Sequence, residues 1–162
     1  MKILLIIDAQ NYFVGKETLP VFKRIAEHIK ESGKDYDFLA FTRHVNNKEA
    51  PLYKIIGFDE LMGGKETEIW DGLKEFAKNV FVKDTYSIFR LKEFVEFLEK
   101  NKITKVYIAG FNLSACINTA MIDGLDCGFE TFLLKNLVGD HYGKDKTIQE
   151  SIKTNIGEDH VL

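Results

Sequence analysis

The chain of 162 residues has only two cysteines, and their spacing in the sequence argues against both a zinc site and a disulfide bond between them. No Cys-x-x-Cys or His-x-x-x-His spacing accompanies Cys116 or Cys127, so a zinc cage is not expected. On one helix the two residues would lie about 16 Å apart at a rise of ~1.5 Å per residue. Because disulfide geometry requires much closer Cα atoms, the sequence predicts no bridge between them.

Long apolar runs and an excess of one charge are also missing. No run approaches the ~20 apolar residues of a membrane-spanning helix. The apolar stretch at residues 3–7 stops at Asp8, too early for a secretory signal. The net charge is −3, with basic and acidic residues interspersed, so no basic stripe indicates nucleic acid. We therefore expect a cytoplasmic protein without a membrane or nucleic-acid partner.

The sequence does contain an alternation of strand-like and helix-like segments. Five short apolar or β-branched runs are typical of buried strands, at residues 2–7, 37–42, 79–82, 105–109 and 130–134. Segments with helical spacing cover residues 18–31, 91–100, 114–126 and 147–156. This alternation predicts one α/β domain over residues 1–162, with three layers and a mostly parallel, Rossmann-like central sheet of five or six strands.

Residues 45–71 interrupt the alternation. The segment contains Pro51, Gly57, Gly63 and Gly64, which indicate turns rather than a long helix or strand. We expect a long excursion over one edge of the sheet, with a short helix near residues 67–70. Long loops in compact domains often carry function, so this segment is expected to supply pocket walls.

Three chemically useful residues follow different predicted strands. Asp8 follows the first strand, Lys83 the third, and Cys116 lies just beyond the fourth. Each has an ordinary explanation when taken alone: a turn carboxylate, a solvated lysine and a small buried side chain. However, open parallel sheets bind ligands at the carboxyl ends of their strands, so all three residues face the same end of the molecule.

Cys116 is distinguished by its place in the first turn of a predicted helix. The positive end of the helix dipole favours a thiolate there, and unpaired amides of the first turn can hold an oxyanion. Cys127, near the other end of that helix, fits a buried structural cysteine. His44 stays open as an alternative base, because a Cys–His pair also activates a thiol.

Three segments together resemble the isochorismatase-like cysteine hydrolases, a family that includes nicotinamidases, pyrazinamidases and other small amidases. The segments are residues 6–13 (IIDAQNYF), 83–89 (KDTYSIF) and 110–120 (GFNLSACINTA). Their order and spacing agree with the family over residues 1 to about 135. The resemblance implies hydrolysis of a small amide through a thioester, with no cofactor.

The resemblance also implies roles for individual residues. Asp8, Lys83 and Cys116 would form the catalytic triad. The peptide between Phe111 and Asn112 would be cis, and the backbone amides of Asn112 and Cys116 would form the oxyanion hole. Three aromatic residues near the motifs are candidates for the wall of a flat substrate pocket, with packing in the core as the alternative: Phe13, Tyr86 and Phe111.

The sequence departs from the family at several positions. Members with a metal carry an Asp-x-His pair after the second strand, whereas residues 42–47 here are TRHVNN, so we expect no metal. Leu113 stands where the family usually has Thr, and the Asp expected near Asn136 is absent. Two other functions stay open: cleavage of an enol ether, which does not need the thiol, and non-catalytic binding of a small molecule. A homo-oligomer is plausible for this architecture.

Overall fold

Five parallel strands form a single sheet in the computed structural model, which describes residues 1–140 and 145–162. The spatial order is β3-β2-β1-β4-β5, and every neighbouring pair is parallel. The strands are β1 (Lys2–Ile7), β2 (Phe38–His44), β3 (Val80–Lys83), β4 (Lys105–Gly110) and β5 (Glu130–Val138). The predicted α/β class is confirmed, and the mostly parallel sheet of five or six strands that the sequence predicts has five strands, all parallel, within these residues.

Helices cover both faces of the sheet. Within the described ranges the α-helices are α1 (Leu19–Ser32), α2 (Pro51–Ile56), α3 (Lys92–Lys100), α4 (Asn118–Asp126) and α5 (Asp145–Asn155). Helix α1 packs on one face, and α3, α4 and α5 contribute to the core on the other face. The molecule therefore has the three layers that the sequence predicts.

The central strand β1 shows why the sheet is buried on both sides. Successive side chains of a strand point to opposite faces. Leu4 and Ile6 belong to the α1 core, while Ile3, Leu5 and Ile7 belong to the core on the other face. All five side chains are fully buried. This two-sided burial explains the uninterrupted apolar run that precedes Asp8.

The segment between β2 and β3 differs from the prediction. It contains α2, which begins at Pro51 and ends where Gly57 adopts a positive φ of 68°. The predicted helix at residues 67–70 is wrong: a short 3₁₀ turn covers Lys65–Thr67, and Ile69 forms an isolated bridge with Gln10. Rather than following one sheet edge, the segment packs onto the α1 face, with side chains that include Leu61, Ile69 and Leu73.

The segment after β4 is also more complex than one helix. A π-helical turn covers Leu113–Ile117 and leads directly into α4. Such turns occur frequently at functional sites. Cys127, expected to be buried, is exposed just beyond α4. Among the described residues, no helix has the length and apolar character that crossing a bilayer requires.

Candidate active site

The site lies at the ends of the neighbouring strands β1 and β4, the point at which the order of strand addition reverses direction across the sheet. After β1 the chain builds β2 and β3 on one side, and after β4 it builds β5 on the other. Ligands of open α/β sheets bind at such a switch point. Asp8 follows β1 with a positive φ of 47°, a conformation that Asp tolerates better than most residues.

Gly110 allows the ends of β1 and β4 to approach closely. Its φ is +115°, and a Cβ atom added there would lie 2.0 Å from the carbonyl oxygen of Ile7. Only glycine fits this position. The close approach brings the residue after β1 next to the turn that carries Cys116.

Asp8, Lys83 and Cys116 come together at this point. The Lys83 Nζ donates to Asp8 Oδ2 over 2.7 Å and to Cys116 Sγ over 3.4 Å. It also donates to the Thr85 carbonyl at 3.1 Å. The side chains of Lys83 and Asp8 are 1% and 0% exposed. A buried ammonium thus joins the carboxylate and the sulfur.

Thr42 fixes the orientation of the carboxylate. Its hydroxyl donates to Asp8 Oδ1 over 2.5 Å and accepts from the Asp8 backbone amide at 3.0 Å. Both carboxylate oxygens therefore have a partner, one from β2 and one from β3. Thr42 is not among the site residues expected from the sequence, although β2 pairs with β1 in parallel register up to Ile6 and Phe41, the residues just before this contact.

Burial and the neighbouring charges act on the pKa of Lys83 in opposite directions. Burial lowers the pKa of Lys83, but the charges of Asp8 and Cys116 and the hydrogen bonds to both outweigh burial and raise the pKa above its usual value. Lys83 therefore stays protonated at neutral pH and supplies a fixed positive charge.

Burial opposes the effect that the helix dipole is expected to have on the Cys116 thiol. Burial raises the pKa of Cys116 to about 12, and although the Lys83 charge lowers it, the Asp8 charge and hydrogen bond raise it further. Desolvation disfavours the charged form and therefore works against the thiolate that the start of a helix favours. A base next to the sulfur would help to remove its proton.

His44 is the last residue of β2 and also reaches the site. His44 is 2% exposed, and within the described residues neither ring nitrogen makes a hydrogen bond of good geometry, although the Thr85 backbone is near enough to raise the pKa of the ring. Burial and then the Lys83 charge lower the pKa of His44 below its usual value, so the ring is neutral at neutral pH. No hydrogen bond joins it to Cys116, whose sulfur accepts from Lys83 instead.

A cavity of about 180 Å³ opens beside the sulfur. Phe13 and Tyr86 line it, together with Asp8, Tyr12, His44, Leu52, Ile56, Phe58, Leu61, Asn112, Ala115 and Cys116. Phe111 does not line this cavity. It is fully buried and stacks on Phe22, with ring centroids 4.4 Å apart, which places it in the α1 core.

The turn that carries Cys116 has an ordered backbone. The Phe111–Asn112 peptide is cis. The amide of Ser114 donates to Asp140 Oδ2 over 2.6 Å, and the amides of Ala115 and Ile117 donate to the Asn112 carbonyl. Sequence reasoning missed Asp140, although a carboxylate just after the fifth strand is a signal of the same kind as Asp8.

The donor atoms at the site do not fit a metal ion. One donor atom each from Asp8, His44 and Cys116 lies within 4.8 Å of the other two. However, the Lys83 ammonium already contacts the carboxylate and the sulfur, so a second cation would meet a fixed positive charge. The side-chain Nδ2 of Asn46, two residues after His44, donates to the carbonyls of Phe58 and Glu60, so this side chain serves to hold the loop.

Comparison with known proteins identifies the family. The isochorismatase domain model matches residues 2–151. The nicotinamidase of Bacillus subtilis superposes with a TM-score of 0.86 at 20% identity, covering 99% of this chain and 98% of that one. The pyrazinamidase/nicotinamidase of Streptococcus mutans gives 0.86 at 18% identity, with both chains covered completely. The N-carbamoylsarcosine amidase of Thermoplasma acidophilum gives 0.79 at 17% identity, covering 96% and 92%.

No match is found among curated proteins. At these identities the solved structures show only that the fold is shared. The family model, in contrast, matches most of the sequence and therefore shows the family. The chain therefore belongs to the isochorismatase-like cysteine hydrolase family and is a hydrolase.

Proposed function

We propose that the protein hydrolyses a small carboxamide through a thioester on Cys116, with Asp8 as the general base. The observation that carries this proposal is the buried contact of Lys83 with both the Asp8 carboxylate and the Cys116 sulfur, at 2.7 Å and 3.4 Å. The names of similar solved structures, nicotinamidase and N-carbamoylsarcosine amidase, support an amide as the substrate.

In the first step Asp8 takes the proton of the Cys116 thiol while the sulfur attacks the carbonyl carbon. A base is necessary because burial raises the pKa of Cys116 to about 12. The Lys83 ammonium stabilises the negative charge that moves from carboxylate to sulfur. The new carbon–sulfur bond converts the carbonyl into a tetrahedral oxyanion.

The backbone amides of Asn112 and Cys116 are the proposed donors to this oxyanion. Both residues line the cavity. The neighbouring amides of Leu113 and Ser114 already donate to Gly139 and Asp140, which supports a rigid turn around the oxyanion. Preorganised donors of this kind typically contribute about 2.7–4 kcal/mol each.

Collapse of the oxyanion breaks the carbon–nitrogen bond. Asp8 returns its proton to the leaving nitrogen, and ammonia departs from a primary carboxamide. A water molecule, deprotonated by Asp8, then attacks the thioester. Carbon–sulfur cleavage releases the carboxylic acid, and the Cys116 sulfur recovers a proton from Asp8.

The cavity favours a flat acyl group. Its volume of about 180 Å³ is slightly larger than a cavity of about 150 Å³ that accepts one benzene ring. Phe13, Tyr86 and Phe58 contribute aromatic walls. We therefore propose a single-ring aromatic carboxamide as the substrate, with Phe13 and Tyr86 in contact with the ring and Phe111 supporting Phe13 from the core at a centroid distance of 5.9 Å.

The proposal is tested by measuring ammonia release from a panel of small carboxamides. Cys116→Ala should abolish the reaction, whereas Cys127→Ala, which changes an exposed cysteine, should retain it. Ammonia release at the parental rate by Cys116→Ala would refute the thioester mechanism. Pyruvate release from an enol-ether substrate without ammonia release from any amide would assign the other chemistry.

A further inference from the structure

The two edges of the sheet differ in how the chain covers them. At the β5 edge, Val161 forms a parallel bridge with Leu133, and the Leu162 amide donates to the Leu133 carbonyl at 2.9 Å. At the other edge, β3 pairs with β2 on one side, and no strand of residues 1–140 or 145–162 pairs with it on the other. Folded proteins usually block such an edge, because it readily pairs with another strand.

The backbone of β3 has hydrogen-bonding groups at this free edge. The Asn79 carbonyl accepts from the Phe41 amide of β2 at 2.8 Å, so the odd-numbered residues of this segment direct their backbone groups towards β2. The backbone groups of Val80 and Val82 point the other way, because direction alternates along a strand. Within the part of the chain that the structure describes, no backbone hydrogen bond outside the sheet involves either valine.

The exposed side chains of β3 are apolar. Val80 and Val82 are 36% and 49% exposed, whereas Phe81 and Lys83 point to the opposite face and are buried. Edge strands are usually protected from pairing by an outward charge, a proline or a bulge. The charged residue of β3, Lys83, is instead paired with Asp8 inside the protein. The strand therefore presents an unprotected apolar edge to solvent.

Residues 78–84 (KNVFVKD) are self-complementary when two copies of the strand run antiparallel. With Phe81 opposite Phe81 of a second copy, Val80 of each copy lies opposite Val82 of the other. These are the residues whose backbone groups point outward, so each such pair can exchange two hydrogen bonds. Their side chains share one face and form apolar cross-strand contacts.

The charges that flank β3 match in the same register. Lys78 of each copy lies opposite Asp84 of the other, which places opposite charges across the strands at both ends. Lys78 is exposed and forms no ion pair within the described residues, and Asp84 is half-buried and accepts from Asn47 Nδ2 at 3.1 Å. Both side chains are therefore accessible to a second copy.

Other registers of the two strands fit less well. Centring the antiparallel pair on Val80 places Lys78 opposite a valine, and centring it on Val82 does the same for Asp84. A slip of one residue sets outward-pointing backbone groups against groups that already bond to β2. A parallel arrangement in register places Lys78 beside Lys78, which is unfavourable. Only the antiparallel register centred on Phe81 satisfies the backbone, the valines and the charges together.

We propose that two copies of this chain associate through β3, antiparallel about a twofold axis at Phe81, so that their sheets join into one continuous sheet. Because the last residues of each chain already pair with β5, the assembly closes at a dimer rather than growing into a filament. Neither Val80 nor Val82 lines the active-site cavity. The proposed interface is therefore separate from the site of hydrolysis.

Sedimentation velocity of the full chain tests the assembly, and hydrogen exchange followed by NMR tests the interface. At about 200 μM the parent protein should be a dimer, and Lys78→Asp should shift it towards monomer. The Val80 and Val82 amides should exchange about tenfold or more slowly in the parent than in this variant, whereas the Phe81 amide, which faces β2, should change little. A parent protein that is monomeric, larger than a dimer, or equal to the variant in Val80 and Val82 exchange would overturn the proposal.

A charge swap tests the register. Lys78→Asp and Asp84→Lys each place like charges opposite one another and should weaken dimerisation about tenfold or more. The double variant restores opposite charges and should recover most of the loss. Ile122→Lys, at an exposed position on α4, is the control and should dimerise like the parent. A double variant as weak as the single variants, or single variants as strong as the parent, would contradict the assignment. If a charge variant misfolds, Val82→Lys takes its place and should also prevent dimerisation.

Discussion

Lys83 and Asp8 form a buried ion pair at the carboxyl ends of the strands, with Nζ 2.7 Å from Oδ2 and almost no exposed surface on either side chain. Removing two charges from water is costly, and only their mutual attraction and further hydrogen bonds compensate. Thr42, Thr85 and Cys116 supply those further bonds. We therefore expect the pair to contribute both to the stability of the fold and to catalysis. Substitution of Lys83 and of Asp8 should affect these two properties differently.

Lys83→Met should destabilise the protein as well as inactivate it. The substitution leaves the Asp8 carboxylate buried without its counter-charge, which typically costs about 3–5 kcal/mol in the free energy of unfolding. Urea denaturation measures this loss. Lys74→Met is the control, because Lys74 pairs with Glu68 and Asp71 at the surface and should change the midpoint little. Similar midpoints for both variants would contradict the burial argument.

Asp8→Asn should change turnover and thiol reactivity in opposite directions. Loss of the base should lower ammonia release about 10²- to 10⁴-fold. Yet the Asp8 charge raises the pKa of Cys116, so its removal should lower that pKa and accelerate alkylation of the sulfur by iodoacetamide. Peptide mass spectrometry follows alkylation, with the exposed Cys127 as the internal reference. Slower alkylation of Cys116 in the variant would refute this electrostatic assignment.

Thr42→Val should reveal the role of the hydroxyl that orients Asp8. Valine and threonine side chains are similar in shape, but the Asp8 carboxylate and the Asp8 backbone amide both lose a hydrogen-bond partner. This loss should lower the free energy of unfolding by about 1–3 kcal/mol. Activity should fall too. Thr131→Val provides the comparison, since its hydroxyl donates to the Met121 carbonyl in the core away from the cavity. That variant should lose stability and retain kcat/KM; equal losses of activity would argue against a positioning role for Thr42.

His44 should contribute to the acid sensitivity of the fold. Burial lowers the pKa of His44 from its usual 6.5, so below that pH the unfolded chain takes up a proton that the folded chain does not. Stability should therefore fall as pH decreases. The free energy of unfolding, measured from about pH 7.5 to about pH 5, should decline less in His44→Asn than in the parent. A steeper decline in the variant would reverse the predicted sign.

Much of the architecture follows from local sequence because both faces of the sheet are buried. Continuous apolar runs mark β1 and β4, and Asp8, directly after β1, marks the functional edge. The sequence does not predict α2, because Pro51 and Gly57 indicate turns when read along the chain. In the structure these two residues begin and end the helix, positions at which proline and glycine are favourable.

The sequence predicts which residues come together at the site, but it does not predict their surroundings. The position of Cys116 at the start of a helix is readable from the sequence, but its desolvation depends on how completely other segments cover the sulfur. The partners contributed by Thr42 and Gln10 lie 34 residues away in sequence from the groups they bind. Phe111 is near Cys116 along the chain and is therefore a candidate for the pocket wall from the sequence alone, but its side chain belongs to the α1 core.

The most direct measurement is the mass of the protein during turnover. Acid quenching of the parent enzyme with a cleavable carboxamide should trap a species heavier by the substrate minus ammonia, and fragmentation should place the addition on the peptide that contains Cys116. Cys127→Ala should give the same adduct, and Cys116→Ala none. Turnover that proceeds at the parental rate in Cys116→Ala, with no adduct in any variant, would contradict the account.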